Sequence, residues 1–164
     1  MYEAKRKQRG MIQFFDESTQ KHLNDQANMA NRLRGALTQN VFEQFYQPQV
    51  DNRGSVVGVE ALLRWHDPVL GPVSPSVFIP LAESLHLIAD IDRWVLKRAC
   101  RTLSRWQNDP VLCQIVISVN VSAEFFSQDG FVDEVCGYLR ELNAPPARLM
   151  IEMTEGAIVE DSEA

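Results

Sequence analysis

Strand-like and helix-like segments alternate along the chain from residue 56 onward, and this order restricts the fold more than any other feature. Three segments have the two-residue alternation or the short apolar runs of strands: Val56–Arg64, Ile115–Ser122 and Leu149–Glu155. Helical spacing of apolar residues predicts helices at Ser76–Leu87, Ala89–Gln107 and Phe131–Leu142. Strands joined by helices pair in parallel, so the sequence predicts an α/β fold with a parallel sheet, either layered or barrel-like.

One more strand precedes this series and is predicted to run antiparallel to its first strand. Residues 41–50 are strand-like, and Asp51, Asn52 and Gly54 make the connection to Val56 a turn. The two strands therefore form a hairpin. A complete (β/α)8 barrel takes roughly 250 residues, and residues 41–164 supply about four strands, so the chain would hold about half of such a barrel.

The part of the chain before residue 41 has a different character. Residues 1–15 hold a basic cluster followed by a strand-like piece, and residues 17–39 are predicted to form one exposed helix. The narrow apolar stripe of this helix consists of Leu23, Ala27, Ala30, Leu33 and Leu37. Such a stripe suits a linker helix that pairs with one partner surface, and the alternative is a helix that only flanks the domain. We therefore expect an amino-terminal tail (1–15), a linker helix (16–40) and a domain (41–164).

Composition excludes several classes of protein. Apolar residues make up 45% of the chain and charged residues 23%, which excludes a wholly disordered or collagen-like chain. The formal net charge of −6 argues against a basic surface for nucleic-acid polymers. We expect a cytoplasmic protein, because no apolar run approaches the ~18 residues of a membrane span and no secretory signal is present. The three cysteines have no metal or disulfide spacing and are expected to be buried free thiols.

Polar side chains occur at matching depth on three of the predicted strands. Glu60, Asn120 and Glu152 each lie late in a strand, on the face opposite the apolar one. Sites in α/β folds gather at the carboxyl ends of strands, so we expect these side chains to converge there. Carboxylate and amide oxygens are the ligands that Mg²⁺ and Mn²⁺ prefer. The pattern therefore predicts a site for a hard divalent cation.

Each of these residues also has a purely structural explanation. Glu60 could form an ion pair with Arg64 on its own strand, and Asn120 could be a satisfied buried amide. Glu152 could pair with a lysine. The three together favour a site, because buried polar groups on three strands are costly unless something satisfies them all.

At these residues the sequence resembles the EAL domain family of cyclic-di-GMP phosphodiesterases. The signature is Glu60-Ala61-Leu62, extended by Leu63 and Arg64. Its companions follow in the family's order: Tyr46-Gln47-Pro48, Phe78-Ile79-Pro80-Leu81-Ala82-Glu83, Ser118-Val119-Asn120-Val121-Ser122 and Ile151-Glu152-Met153-Thr154-Glu155. Five motifs in order over residues 41–164 are highly specific.

The resemblance implies a modified TIM-type (β/α)8 barrel with an antiparallel first strand. It implies a metal-dependent hydrolase in bacterial second-messenger signalling, in which two Mg²⁺ or Mn²⁺ ions activate water and cleave cyclic di-GMP to linear pGpG. It assigns metal binding to Glu60, Asn120 and Glu152, with Glu60 and Glu152 at the catalytic centre. Arg64 would hold a substrate phosphate, and Leu62 and Gln47 would line the nucleotide pocket. Glu155 would stabilise the loop after its strand.

The resemblance also implies surroundings and limits. Residues 1–15 are similar to the end of a GGDEF (diguanylate cyclase) domain, which implies upstream GGDEF or sensor domains and a parent protein that these domains could anchor to a membrane. The family's paired aspartates, lysine, further glutamate and late glutamine would lie beyond Ala164, so this chain alone is expected to be inactive. The alternatives are a non-catalytic cyclic-di-GMP receptor and a dimerising regulatory module. A homodimer is expected by analogy with the family.

Overall fold

The computed structural model describes residues 17–39 and 41–153. In chain order the elements are α1 (Glu17–Ala36), β1 (Phe42–Val50), β2 (Val56–Asp67), β3 (Gly71–Val73), α2 (Pro75–Ser84), α3 (Ile88–Trp106), β4 (Val116–Val121), α4 (Ala123–Phe126), α5 (Phe131–Glu141) and β5 (Leu149–Met153). The predicted GGDEF-like tail and Glu155 lie outside the described residues.

The described strands form one sheet with the order β1-β2-β4-β5. β1 pairs antiparallel with β2, whereas β2 with β4 and β4 with β5 pair in parallel. The predicted hairpin and the parallel α/β sheet are therefore confirmed. β3, which the sequence analysis missed, pairs with the last three residues of β2, beyond the segment that pairs with β4.

The core lies between the apolar face of the sheet and the helices. Ile117, Val119 and Val121 of β4 are almost completely buried, as their alternation predicts. Five of the six residues of the predicted stripe of α3 are buried as well, namely Ile88, Ile91, Val95, Ala99 and Leu103, whereas Trp106 is partly exposed. Among the described helices, none has the combination of length and apolarity that a membrane span requires.

The last turns of α1 pack on this core. Leu33 and Ala36 are buried, and Met29 and Leu37 contact the core cluster. Arg32 Nη1 donates to Asp67 Oδ1 at 3.0 Å, which ties the helix to the end of β2. The carboxyl-terminal part of the predicted linker helix is thus joined to the domain.

Asp67 organises the turn between β2 and β3. The backbone N–H groups of Val69 and Leu70 each donate to Asp67 Oδ1 at 2.8 Å. Burial acts to raise the pKa of Asp67, but these two bonds and the Arg32 guanidinium outweigh it and hold the pKa below its usual value. The ionised carboxylate therefore connects a turn, a strand and a helix.

Replacing Asp67 by alanine is expected to lower the free energy of unfolding by about 1–3 kcal/mol, because two backbone N–H groups of the turn and Arg32 lose their buried acceptor. Chemical unfolding followed by tryptophan fluorescence measures the change. Asp51→Ala is the matched control, since Asp51 accepts two turn N–H bonds in the same way but from an exposed position. Equal losses in the two variants would contradict the role given to Arg32 and burial.

The cysteines agree with the prediction only in part. All three are free, and Cys100 is buried, which raises its pKa to about 11. The expectation of burial is wrong for Cys136, which is exposed, and Cys113 is partly exposed. Cys136 lies on the outer face of the amphipathic helix α5, where the helical period places it away from Val135 and Tyr138.

Candidate active site at the carboxyl ends of the strands

The two faces of β2 differ as predicted. Ala61 and Trp65 point into the apolar core and are buried, whereas Glu60, Leu62 and Arg64 on the other face are partly exposed. Register places Glu60 beside Ser118 of β4, and it places Asn120 of β4 directly beside Glu152 of β5. The three predicted metal ligands therefore lie on one face of three adjacent strands.

Glu60 and Asn120 are in direct contact. Asn120 Nδ2 donates to Glu60 Oε1 at 2.8 Å. Asn120 lies two residues beyond the register partner of Glu60 and on the same face, so its side chain reaches Glu60 diagonally across the strands. Asn120 is thus the central member of the set, with Glu60 on one side and Glu152 on the other.

The contacts of the described residues show no ion pair that would explain Glu60 or Glu152, whereas Asn120 is hydrogen-bonded as a satisfied amide would be. Arg64 forms no ion pair with Glu60 among the described residues; its Nη1 donates to the Leu63 carbonyl at 2.9 Å. Its guanidinium carbon lies 5.9 Å from the centre of the Phe45 ring. No lysine or arginine of residues 27–39 and 41–153 bridges Glu152. Within this described part of the chain, neither carboxylate has a cationic partner.

These side chains fit a hard divalent cation in their chemistry. Two carboxylates and one carboxamide supply oxygen atoms only, the donor type that Mg²⁺ and Mn²⁺ prefer. Rotating the side-chain amide of Asn120 by 180° exchanges the positions of Nδ2 and Oδ1. Oδ1 can therefore point in the direction in which Nδ2 points in this structure. Within the described part of the chain, no three His, Cys, Asp or Glu side chains form a separate metal-binding group.

A cavity of about 170 Å³ adjoins the site between the ends of β2 and β4 and the helices α2 and α3. Leu62, Arg64 and Asn120 line it together with apolar side chains such as Ile79. Leu62 and Arg64 thus lie near Asn120, whereas Glu60 and Glu152 do not line this cavity. Gln47 lies on β1 as the register partner of Glu60 and is exposed, outside the lining of this cavity.

The polar face continues toward the amino end of β2. Gln49 Nε2 of β1 donates to the buried Ser118 Oγ of β4 at 3.4 Å, across β2, which lies between these two strands. Gly58 makes this crossing possible, because a Cβ there would lie 2.9 Å from Gln49 Oε1 and 3.2 Å from the Val116 carbonyl oxygen. The hydrogen bond satisfies the buried hydroxyl of Ser118 next to Glu60.

Asp92 of α3 is a buried carboxylate beside the site. The sequence analysis did not identify this residue. The Ser122 N–H and Oγ–H donate to its Oδ2 at 2.9 Å and 2.6 Å. Burial raises the pKa of Asp92 to about 6; the bonds from Ser122 oppose the rise, and the negative charges of Glu124 and Glu83 add to it. The available signal was an acidic residue inside the apolar stripe of a helix, but its partner lies thirty positions later in the sequence.

The pKa of Asp92 predicts a pH dependence of stability. A carboxyl group whose pKa is raised from 3.8 to about 6 by folding stabilises the protein less as the pH rises through this range. The full shift corresponds to about 3 kcal/mol, all of it lost above pH 6. Asp92→Asn carries no titratable group at this position. The unfolding free energy of the wild type, relative to that of Asp92→Asn, should therefore be lower at pH 7 than at pH 4. A constant difference would contradict the titration.

Comparisons with known proteins agree with the motifs. The sequence profile of the EAL domain matches residues 30–164. The bifunctional diguanylate cyclase/cyclic di-GMP phosphodiesterase MucR of Pseudomonas aeruginosa is 38% identical over 165 residues, which cover 100% of this chain and 24% of MucR. The oxygen sensor protein DosP of Escherichia coli is 35% identical over 149 residues, 90% of this chain and 18% of DosP.

Solved structures show the same relationship. The structure of the P. aeruginosa MucR phosphodiesterase in complex with c-di-GMP matches with a TM-score of 0.76 and 38% identity, covering 82% of this chain and 54% of that one. The chain therefore spans about half of the solved phosphodiesterase and a smaller part of the curated relatives. From its motifs, its sheet and these matches, we conclude that the chain belongs to the EAL domain family.

Proposed function

We propose that this chain forms part of a cyclic-di-GMP-specific phosphodiesterase that hydrolyses cyclic di-GMP to linear pGpG with Mg²⁺ or Mn²⁺. The observation that carries the proposal is the cluster on one face of β2, β4 and β5, where Asn120 lies 2.8 Å from Glu60 and beside Glu152. Asn120 and Glu152 lie late in their strands, whereas Glu60 lies in the first half of β2, near the end of the segment that pairs with β4. Arg64 and Leu62 of the same strand line the adjoining cavity. The name of MucR and its solved complex with c-di-GMP support this choice of substrate.

Glu60, Asn120 and Glu152 would hold the cation through their oxygen atoms. A bound divalent cation supplies Lewis-acid polarisation of the phosphodiester and lowers the pKa of water. The two carboxylates provide the negative charge that attracts the cation, and Asn120 links them as a neutral ligand. With such a cation bound, a protein with a net charge of −6 and an acidic site can bind an anionic dinucleotide.

Arg64 would bind a phosphate of the substrate. Its bond to the Leu63 carbonyl and its position over the Phe45 ring restrain the guanidinium and leave other N–H groups free. A guanidinium held in this way matches a phosphate through two parallel hydrogen bonds. Leu62 would contribute an apolar wall of the nucleotide pocket, and Gln47 a polar group on the neighbouring strand.

The remaining assignments follow from the family and are part of the proposal. The matched part of the MucR phosphodiesterase is about half of that chain, so the second metal site and the proton acceptor would come from residues beyond this sequence. The 164-residue chain alone would then be inactive. We assign Glu155 to loop stabilisation, residues 1–15 to the end of a GGDEF-like domain, residues 16–40 to a linker helix, and the working protein to a homodimer.

The test compares this chain with a hybrid domain, in which its residues 30–164 replace the aligned part of the P. aeruginosa MucR phosphodiesterase domain. With Mn²⁺ present, the hybrid domain should produce pGpG from cyclic di-GMP, whereas the chain alone should produce no pGpG. The unmodified MucR domain serves as the control. Turnover by the chain alone would refute its proposed inactivity. A folded hybrid domain that binds cyclic di-GMP without cleaving it would instead establish a receptor.

A further inference from the structure

Asp92 connects the helix layer to the end of β4. It is buried in α3, and Ser122, which follows the last residue of β4, is buried as well. Two hydrogen bonds of 2.9 Å and 2.6 Å join them, and both end on the same oxygen, Asp92 Oδ2. The bonds therefore determine where the backbone leaves the sheet.

Ser122 passes this restraint on in two directions. Its Oγ accepts the N–H of Phe125 at 3.2 Å and so caps the start of α4. In the other direction, Ser122 lies two residues after Asn120, on the strand whose alternation determines where the Asn120 side chain points. A displacement of Ser122 would rotate the last residues of β4 and move Asn120 relative to Glu60.

We propose that Asp92 is a positioning residue that holds the end of β4 so that Asn120 faces Glu60. The significance for metal binding rests on the proposed function, since Asn120 is a metal ligand only under that proposal. The structural part stands on the hydrogen bonds from Ser122 to Asp92 and from Asn120 to Glu60.

A role in stability alone does not explain a carboxylate at this position. Among the described residues Asp92 has no cationic partner, and the negative charges of Glu83 and Glu124 act on it. A buried charge without an opposite charge is costly. An ionised carboxylate oxygen, however, accepts both donors of Ser122 strongly and without a competing donor of its own. Its cost is offset by a rigid strand end at the proposed metal site.

The test uses three variants of the 164-residue chain. Asp92→Leu has similar volume but no acceptor, whereas Asp92→Asn keeps one oxygen that can accept both Ser122 donors. Asp67→Ala is the control, because it removes another buried carboxylate that accepts backbone N–H groups, at the last residue of β2 and outside the segment that pairs with β4. Comparing the three variants distinguishes a displacement of the Asn120 side chain from a general loss of stability.

The first readout is the NMR signal of the Asn120 side-chain amide, which reports its hydrogen bond to Glu60 without metal or substrate. We expect Asp92→Leu to shift this signal toward the solvent-exposed position, and Asp92→Asn and Asp67→Ala to leave it in place. If Asp92→Leu does not fold, Ser122→Ala replaces it, since this variant deletes the 2.6 Å bond and must shift the signal in the same direction.

The second readout is Mn²⁺ affinity, measured by paramagnetic broadening of backbone signals around Glu60. Loss of a group that orients a metal ligand typically costs 10–100-fold in metal affinity, so Asp92→Leu should bind Mn²⁺ roughly 10-fold more weakly or worse. Asp92→Asn should stay within about 3-fold of the wild type, because it keeps the acceptor. In the hybrid domain, added Mn²⁺ should restore part of the activity that Asp92→Leu loses.

Two outcomes would overturn the inference. One is an unchanged Asn120 signal and wild-type Mn²⁺ affinity in Asp92→Leu, and the other is an equal change in Asp67→Ala. A wild-type chain that binds no Mn²⁺ would count against the proposed function instead. In that case the Asn120 signal still decides whether Asp92 positions Asn120.

Discussion

Replacing Glu60 by alanine in the hybrid domain is expected to lower the rate of cyclic-di-GMP hydrolysis by roughly 10³-fold or more, because a metal ligand contributes several kcal/mol of transition-state stabilisation. Glu60 is partly buried, and the only hydrogen bond of its side chain in the described structure comes from Asn120. The variant therefore loses one of two carboxylates at the site and leaves Asn120 without its partner. Release of pGpG over time measures the effect.

The stability of Glu60→Ala should not fall together with its activity. Glu60 has no cationic partner among the described residues, so its charge is not compensated within the sheet. Removing such a charge from a functional site often leaves the protein equally or more stable. Thermal unfolding of Glu60→Ala should therefore occur at or above the wild-type temperature.

Two further variants make the Glu60 prediction specific. Glu60→Gln keeps the size of the side chain and an oxygen for the Asn120 bond but removes the charge, and it should lose activity almost as severely. Glu141→Ala removes an exposed carboxylate from the outer helix α5 and should retain activity. Substantial hydrolysis by Glu60→Gln would show that Glu60 acts through its hydrogen bond rather than as a charged metal ligand.

Much of the fold could be predicted because its signals are local. Alternation along β2 and β4 separates apolar from polar side chains within each strand. The predicted apolar face of β4 is buried, whereas that of β2 is buried at Val59 and Ala61 but exposed at Val57. The short turn after Val50 requires a hairpin, and the helices between later strands require parallel pairing. The position of Glu60, Asn120 and Glu152 on one face follows from the same alternation once the strands are parallel.

The features that were missed depend on contacts between distant residues. Asp92 and Asp67 are acidic residues in apolar surroundings, and only their partners, Ser122 and Arg32, explain them. Those partners lie thirty and thirty-five positions away, so no local pattern identifies them. β3 has only three residues and contains Pro72, which makes it too short and too irregular for a periodic signal.

Replacing Arg64 by alanine is expected to lower cyclic-di-GMP hydrolysis by about 10²-fold, because a charge-assisted bond to phosphate contributes about 1.5–3 kcal/mol and orients the group for reaction. Arg64 lines the cavity beside Asn120, and its guanidinium is restrained by the Leu63 carbonyl and the Phe45 ring. Unlike Glu60, it does not belong to the proposed metal site. Arg64→Ala should therefore raise the KM for cyclic di-GMP and leave the Mn²⁺ affinity of the chain unchanged.

Arg64→Lys distinguishes geometry from charge in the same assay. Lysine keeps the charge but offers no planar pair of donors, so it should recover only part of the lost activity. Arg53→Ala in the exposed turn between β1 and β2 removes an arginine from the surface and serves as the control. If Arg64→Ala lowers Mn²⁺ affinity as much as Glu60→Ala does, the residue acts on the metal site. If Arg64→Ala leaves the KM for cyclic di-GMP unchanged, another group binds the substrate phosphate.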